Sequence, residues 1–174
     1  MMNVARARGV CGWLLLALLI ANTASTANAQ LFTDPADWQE SDVPPPPAYV
    51  MSKLMTFEVT RSSPLVYGVD PASFSISKTD GVVRYVVVAT TPAGAKNVMY
   101  EGLRCKTGEV RTYARANPDG SWTPVANSEW KSAYDLSLPR HSLRFAQVAA
   151  CQSAAPVSSV RELERKLKNP GANN

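Results

Sequence analysis

The sequence predicts an α+β domain, a curved antiparallel β-meander with one packed helix and a disulfide staple; a small β-barrel or sandwich is the alternative. Three features carry this expectation. From Leu54 onward, short apolar runs are broken by Pro, Gly, Asp and Asn, a spacing that suits strands better than helices. Within them, residues 82–89 are apolar on both alternating faces except at Arg84, as in a central strand covered on two sides. Residues 138–151 then set Leu143, Phe145 and Val148 at roughly helical spacing, which suits a cover for one of those faces.

The chain has 174 residues and opens with Arg6 and Arg8, an apolar run from Trp13 to Ala21, and the small residues Ala27-Asn28-Ala29. This is the pattern of a secretory signal over residues 1–29, cleaved between Ala29 and Gln30. The run is about half of the roughly 20 apolar residues that a membrane span requires, so no transmembrane span is expected in the mature protein. Cys11 precedes the run, which does not suit a lipoprotein cysteine. Loss of the leader leaves Cys105 and Cys151, an even pair in an exported chain, and a disulfide is the expected outcome. Two free thiols, or two metal ligands without companions, are the other readings.

Of 18 basic and 14 acidic residues, Arg6 and Arg8 leave with the leader, so the mature charge is close to neutral. The charges are segregated. An acidic, Pro-rich arm over residues 30–51 carries Asp34, Asp37, Glu40 and Asp42 without a base before Pro44-Pro45-Pro46-Pro47, which favours an extended spacer. The arm is expected to be solvated, although attraction to the mildly basic body is a second reading. A β-rich domain follows over residues 52–156, and a basic tail over residues 157–174. No run of Lys and Arg interleaved with aromatics supports nucleic-acid binding.

Strands are expected at residues 54–60, 65–69, 73–77, 82–90, 97–105 and 109–114, with a short piece at Trp122. Asp80-Gly81 suits a hairpin turn because it tolerates positive φ, and residues 91–96 and 117–120 suit further hairpin loops. Pro139 suits the first turn of the helix that follows. In the tail, Ser159 and Glu162 have capping-box spacing, and Glu162–Lys166 and Glu164–Lys168 are i,i+4 pairs. Val160, Leu163 and Leu167 give that helix only a thin apolar stripe, so it is expected to fray.

One histidine excludes sites built from several imidazoles within a chain, and no P-loop or G-x-G-x-x-G is present, so no cofactor or metal is expected. Residues 97–105 are the most informative stretch. Alternation puts Met99, Glu101, Leu103 and Cys105 on one face and Val98, Tyr100 and Arg104 on the other. A carboxylate among apolar neighbours needs a partner, and Arg84 or Arg111 on adjacent strands is the candidate. Glu101 then reads as a general acid or base with a raised pKa, or as a buried ion pair that holds register; the structural reading is favoured. Gly102 marks a bulge or a close backbone approach. His141 reads as a surface or capping residue, since no G-x-S-x-G elbow accompanies it. Trp122, Trp130, Tyr113 and Tyr134 suit core or edge packing better than a stacking platform for a sugar or peptide.

Asp80-Gly81-Val82-Val83-Arg84-Tyr85, Asn97-Val98-x-Tyr100-Glu101-Gly102-x-Arg104-Cys105, Tyr113-Ala114, Gly120-x-Trp122, Trp130 and Cys151 together resemble the cryptic neisserial protein-like (CNP-like) family of exported proteins of Gram-negative bacteria. The resemblance spans about residues 57–151. It implies a periplasmic domain and brings no catalytic set. Three functions remain open at this stage. The first is a non-enzymatic envelope module that binds an envelope protein or ligand through Arg84, Tyr100, Glu101 and Arg104 or through a sheet edge. The second is a hydrolase-like enzyme that uses Glu101 with Glu109 or Asp135 across a cleft. The third is a structural envelope protein whose two ends contact other components.

Overall fold

The computed structural model describes residues 38–170, so the expected leader, Cys11 and the expected cleavage point between Ala29 and Gln30 lie outside the described residues. One curved antiparallel sheet dominates. Its strands are β1 (Met55–Phe57), β2 (Val66–Val69), β3 (Ser75–Ile76), β4 (Val83–Thr90), β5 (Lys96–Arg104), β6 (Glu109–Ala116), β7 (Trp122–Pro124) and β8 (Lys131–Ser132). The spatial path is β1-β2-β4-β5-β6-β7; β3 continues along β4 beyond β2, and β8 pairs with β6. The path starts at β1 and stops at β7, so the sheet stays open and is not a barrel. The turn before β4 closes with Gly81 at φ 71°, where glycine carries no Cβ penalty, and Gly81 N–H donates to the Ser77 carbonyl.

Alternation sorts the side chains as expected. Val83, Tyr85 and Val87 of β4 and Met99, Leu103 and Cys105 around β5 join the main core with Phe57, Phe145 and Val148. Val86, Val88, Val98, Tyr100 and Ala114 form a second cluster on the opposite face. Register slips by one residue between Tyr100 and Glu101, because Tyr100 faces Ala114 while Glu101 faces Thr112. The extra residue is Tyr113, so the bulge lies in β6, and Gly102 is the position of close approach.

The main core is roofed by two helices, one more than expected. The first is shorter than the sequence suggests: α1 (His141–Phe145) runs on as a π-helical turn, Ala146–Ala150, and Cys151 already begins β9 (Cys151–Gln152). Pro139 lies ahead of the cap Arg140 and outside the helix; Leu138, which precedes the proline, is disfavoured in the α region. β9 pairs with β10 (Ala155–Pro156) in a separate hairpin. The π turn delivers Cys151 to Cys105 at the end of β5, with Cα atoms 5.6 Å apart in the disulfide.

The second helix, α2 (Val160–Lys168), does not fray. Leu163 and Leu167 are buried in the main core, and the stem of Lys166 is buried beside them. Ser159 Oγ accepts the Glu162 N–H, while Glu162 Oε2 accepts from Ser158 N–H at 2.8 Å, one residue earlier than a standard capping box. The ion pair on its surface is Glu162 with Arg165 at 3.6 Å. A thin stripe suffices because two leucines reach a core already formed by β1 and the π turn. No helix among the described residues is long and apolar enough to cross a membrane.

Candidate binding site

Cross-strand register places Arg84, Gly102 and Arg111 in one row over three strands, since Gly102 pairs with Arg84 on one side and Arg111 on the other. The row lies on the face that carries Tyr100 and Arg104. Two guanidinium groups therefore flank a position without a side chain. The Tyr113 ring leans into that gap; a Cβ on Gly102 would lie 2.7 Å from its Cζ. Tyr113 packs at 5.3 Å against Tyr100 and at 6.4 Å against Trp130, and Trp122 meets Tyr100 at 6.5 Å. The aromatics thus form a row across this face, whereas Tyr134 stands apart and is exposed.

The acidic arm closes this face. It is docked at Trp38, Glu40 and Ser41 and is not freely solvated there, while residues 42–45 are exposed. Glu40 places its carboxylate over the glycine gap, where four groups donate to it: Arg111 at 2.6 Å, Trp130 Nε1 at 3.1 Å, Arg84 at 3.3 Å and the Tyr113 hydroxyl. Trp38 stacks under the Arg104 guanidinium at 3.5 Å, meets Trp130 edge-on at 5.9 Å, and donates from Nε1 to the Asp80 carbonyl. Ser41 donates from its backbone and its hydroxyl to Asp80 Oδ2, the oxygen that also receives Arg84 at 2.9 Å. Further along, Tyr49 reaches Trp122, and Val50 N–H donates to Asp70 Oδ2 at 2.8 Å.

The electrostatics follow from these partners. Burial pushes the Asp80 carboxyl upward, but hydrogen bonds from Arg84, Ser41, Ser77 and the Val82 backbone outweigh it and hold it well below the usual carboxylate range. Burial and the hydrogen bond to Glu40 drive the Tyr113 phenol far above its ordinary value, so it remains a donor. Arg104 is paired with Glu109 at 2.6 Å.

Glu101 lies on the other face, so the four residues expected to form one network divide three to one. Its partner is not an arginine. Arg84 and Arg111 share the row with Gly102 and project away from Glu101, which instead meets His141 Nε2 at 3.0 Å. His141 is not a surface residue; it is 3% exposed and stacked on Tyr67 with ring centres 5.1 Å apart. Tyr85 at 3.0 Å and Ser142 at 3.2 Å also donate to the carboxylate, and Thr112 reaches it from β6 at 3.4 Å. Burial raises the Glu101 carboxyl, but the His141 charge and these hydrogen bonds outweigh it and set it below the usual value. Burial lowers His141, and Glu101 reverses this to a net increase. Each group thus favours the charged form of the other. Ser142 bonds the carboxylate and not the imidazole, so His141 is not placed to take its proton.

Neither carboxylate named for the hydrolase reading, Glu109 or Asp135, lines the cavity beside Glu101 and His141. Glu109 is registered with Arg104 on the opposite face, and Asp135 is exposed and caps the turn at Ser137. Among the described residues no group of three or more His, Cys, Asp or Glu side chains is placed to hold a metal. What the sequence reading missed is the arm. Trp38 and Ser41 were not singled out, Glu40 was read as solvated, and Arg111 was matched to the wrong carboxylate.

The chain belongs to the CNP1-like family. The family model matches residues 33–168, which takes in the arm and both helices and exceeds the stretch covered by the motifs. No curated protein and no solved structure matches the chain.

Proposed function

We propose that this CNP1-like protein is an exported periplasmic protein, a non-enzymatic binding module of the cell envelope that works through its cationic, aromatic sheet face. The observation that carries the reading is the set of four donors from β4, β6 and the segment at Trp130, all converging on one carboxylate. Guanidinium pairs with aromatic walls recognise carboxylates in directed geometry, and aromatic and arginine side chains are the usual anchors of interfaces. The leader of residues 1–29 supplies the route of export, and the Cys105–Cys151 bridge suits an oxidising compartment.

Two measurements test this. Fractionation followed by N-terminal sequencing is expected to find the chain in the periplasm beginning at Gln30; a cytoplasmic chain that retains its leader overturns the location. A photo-crosslinking residue at Pro124, which borders this face, is expected to trap envelope components in growing cells, whereas one at Ala155 in the distant hairpin is not. Equal trapping at both positions, or none at Pro124, overturns the binding surface.

A further inference from the structure

The arm sits on the sheet in the manner of a bound peptide. Residues 38–50 form no ladder with any strand, so the backbone contributes little to the grip. Instead the segment has no regular secondary structure, with Trp38 and Glu40 half-buried and Gln39 exposed between them. Trp38 covers Arg104, Glu40 takes four donors, and Ser41 caps the Asp80–Arg84 pair. Side-chain ends read at alternate positions are a recognition mode, distinct from the apolar interdigitation that seats α2.

Two further features favour exchange. Between the tether at Pro44-Pro45-Pro46 and the sheet at Tyr100, Arg111 and Tyr113 lies an open cavity of about 540 Å³, so this stretch is not packed to interior density. Proline carries no backbone N–H, so lifting Pro44–Pro47 breaks no donor bond of theirs. Once the arm is off, Arg84 retains Asp80 and Arg104 retains Glu109, but Glu40 is the sole ion-pair partner of Arg111 among the described residues. The vacated face would then present an uncompensated guanidinium beside an aromatic wall.

From this we infer that Trp38–Ser41 is a tethered stand-in for a ligand, and that the same groove takes an extended acidic peptide segment of another protein, with an aromatic residue two positions before a glutamate. The inference rests on the binding-module reading and names its ligand class. The arm competes with that ligand. A tethered segment acts at an effective concentration near the millimolar range for a short linker, so an external peptide must exceed it or wait for the arm to lift.

The test uses the full chain and a fluorescent peptide copying residues 36–43. Trp38→Ala/Glu40→Gln protein, checked for its fold by circular dichroism, is expected to bind the peptide at least tenfold more tightly than wild type. Affinity is expected to fall as salt rises, and to fall at least tenfold when the peptide carries Gln in place of its glutamate or when the protein also carries Arg111→Ala. Glu40→Gln alone, which keeps Trp38 seated, serves if the double variant fails to fold. Equal affinity for wild type and variant, or indifference to the peptide glutamate, overturns the inference. A concentration-dependent wild-type dimer that the double variant lacks also overturns it, because the occupant is then the arm of a second copy. Crosslinks from Pro124 in cells without peptide binding would discard the acidic-peptide ligand and keep the binding surface; the absence of both would discard both.

Discussion

On the helix side of the sheet, Tyr85, Leu103, Phe145 and Leu163 are closed off from water by two helices, and a buried polar cluster around Glu101 and His141 sits among them, with His141 Nδ1 left without a hydrogen-bond partner among the described residues. On the arm side, the apolar cluster of Val86, Val88, Val98, Tyr100 and Ala114 gives way to Arg84, Arg104 and Arg111, and the cover is an irregular segment held by charge and stacking. The first cover is apolar burial plus a covalent bond, which is non-directional and large. The second depends on a few directed contacts, each lost if one atom moves. The difference separates a face that serves stability from one whose cover can leave.

Opening the disulfide should disturb the helix side most. The Cys105–Cys151 bridge closes a separation of 46 residues, for which the chain-entropy relation gives about 4 kcal/mol. Cys105→Ser/Cys151→Ser protein should lose about that much by urea denaturation, with the Trp38 stack on Arg104 retained in whatever fraction stays folded. Loss of the arm cover at denaturant levels where the helices persist would mean that the two faces are coupled the other way round.

Removing the charge at Glu101 comes next, at roughly 3 kcal/mol for Glu101→Gln, since a buried imidazolium is left without its counter-charge. The pH profile separates this from mere repacking. Glu101 is held below its usual value of 4.5, so its contribution is present above that pH and is lost as pH falls through the lowered value. His141 is held above its usual 6.5, so its contribution is complete below that pH and is lost as pH rises through the raised value. The pair thus stabilises most between about 4.5 and 6.5. Glu101→Gln should flatten both limbs in thermal scans across pH; Arg115, Tyr67 and Tyr85 are the other ionisable groups that bear on this cluster. A mutant profile parallel to wild type would show that the dyad does not titrate as a unit.

The helix side was the legible one. Period-two alternation in residues 82–90 and 97–105 sorts each side chain to its face, because a strand allows no other arrangement, and the turn residues fix where each strand ends. Thus Glu101 was correctly placed among Met99, Leu103 and Cys105, and the cysteines met as expected. Its partner was not legible, since His141 is 40 residues away and reaches it only through the packing of α1. The arm side was hidden for a similar reason. Glu40 lies 71 residues from Arg111 and 90 from Trp130, and nothing local distinguishes a docked acidic segment from a solvated one. One signal was present: the pairing of adjacent strands aligns Arg84, Gly102 and Arg111, so two cations with a gap between them called for an anion.

The smallest of these effects, about 2 kcal/mol, is expected from Gly102→Ala, and it falls on the arm side alone. The new methyl group would collide with the Tyr113 ring, at 2.7 Å from Cζ and 2.9 Å from Cε2. A free tyrosine would swing away at little cost. Tyr113 is not free, because its hydroxyl donates to Glu40 and its ring is wedged between Tyr100 and Trp130. Displacing the ring therefore withdraws one of the four donors and loosens the arm. Fluorescence of Trp38 and Trp130 should report this as added solvent exposure, while the pH profile set by Glu101 and His141 stays as in wild type. A double-mutant cycle with Glu40→Gln sharpens the point: if the methyl group acts through the arm, its cost should shrink by at least half once Glu40 no longer carries a charge. A cost unchanged in that background would place the strain in the sheet itself, and the two faces would no longer be independent.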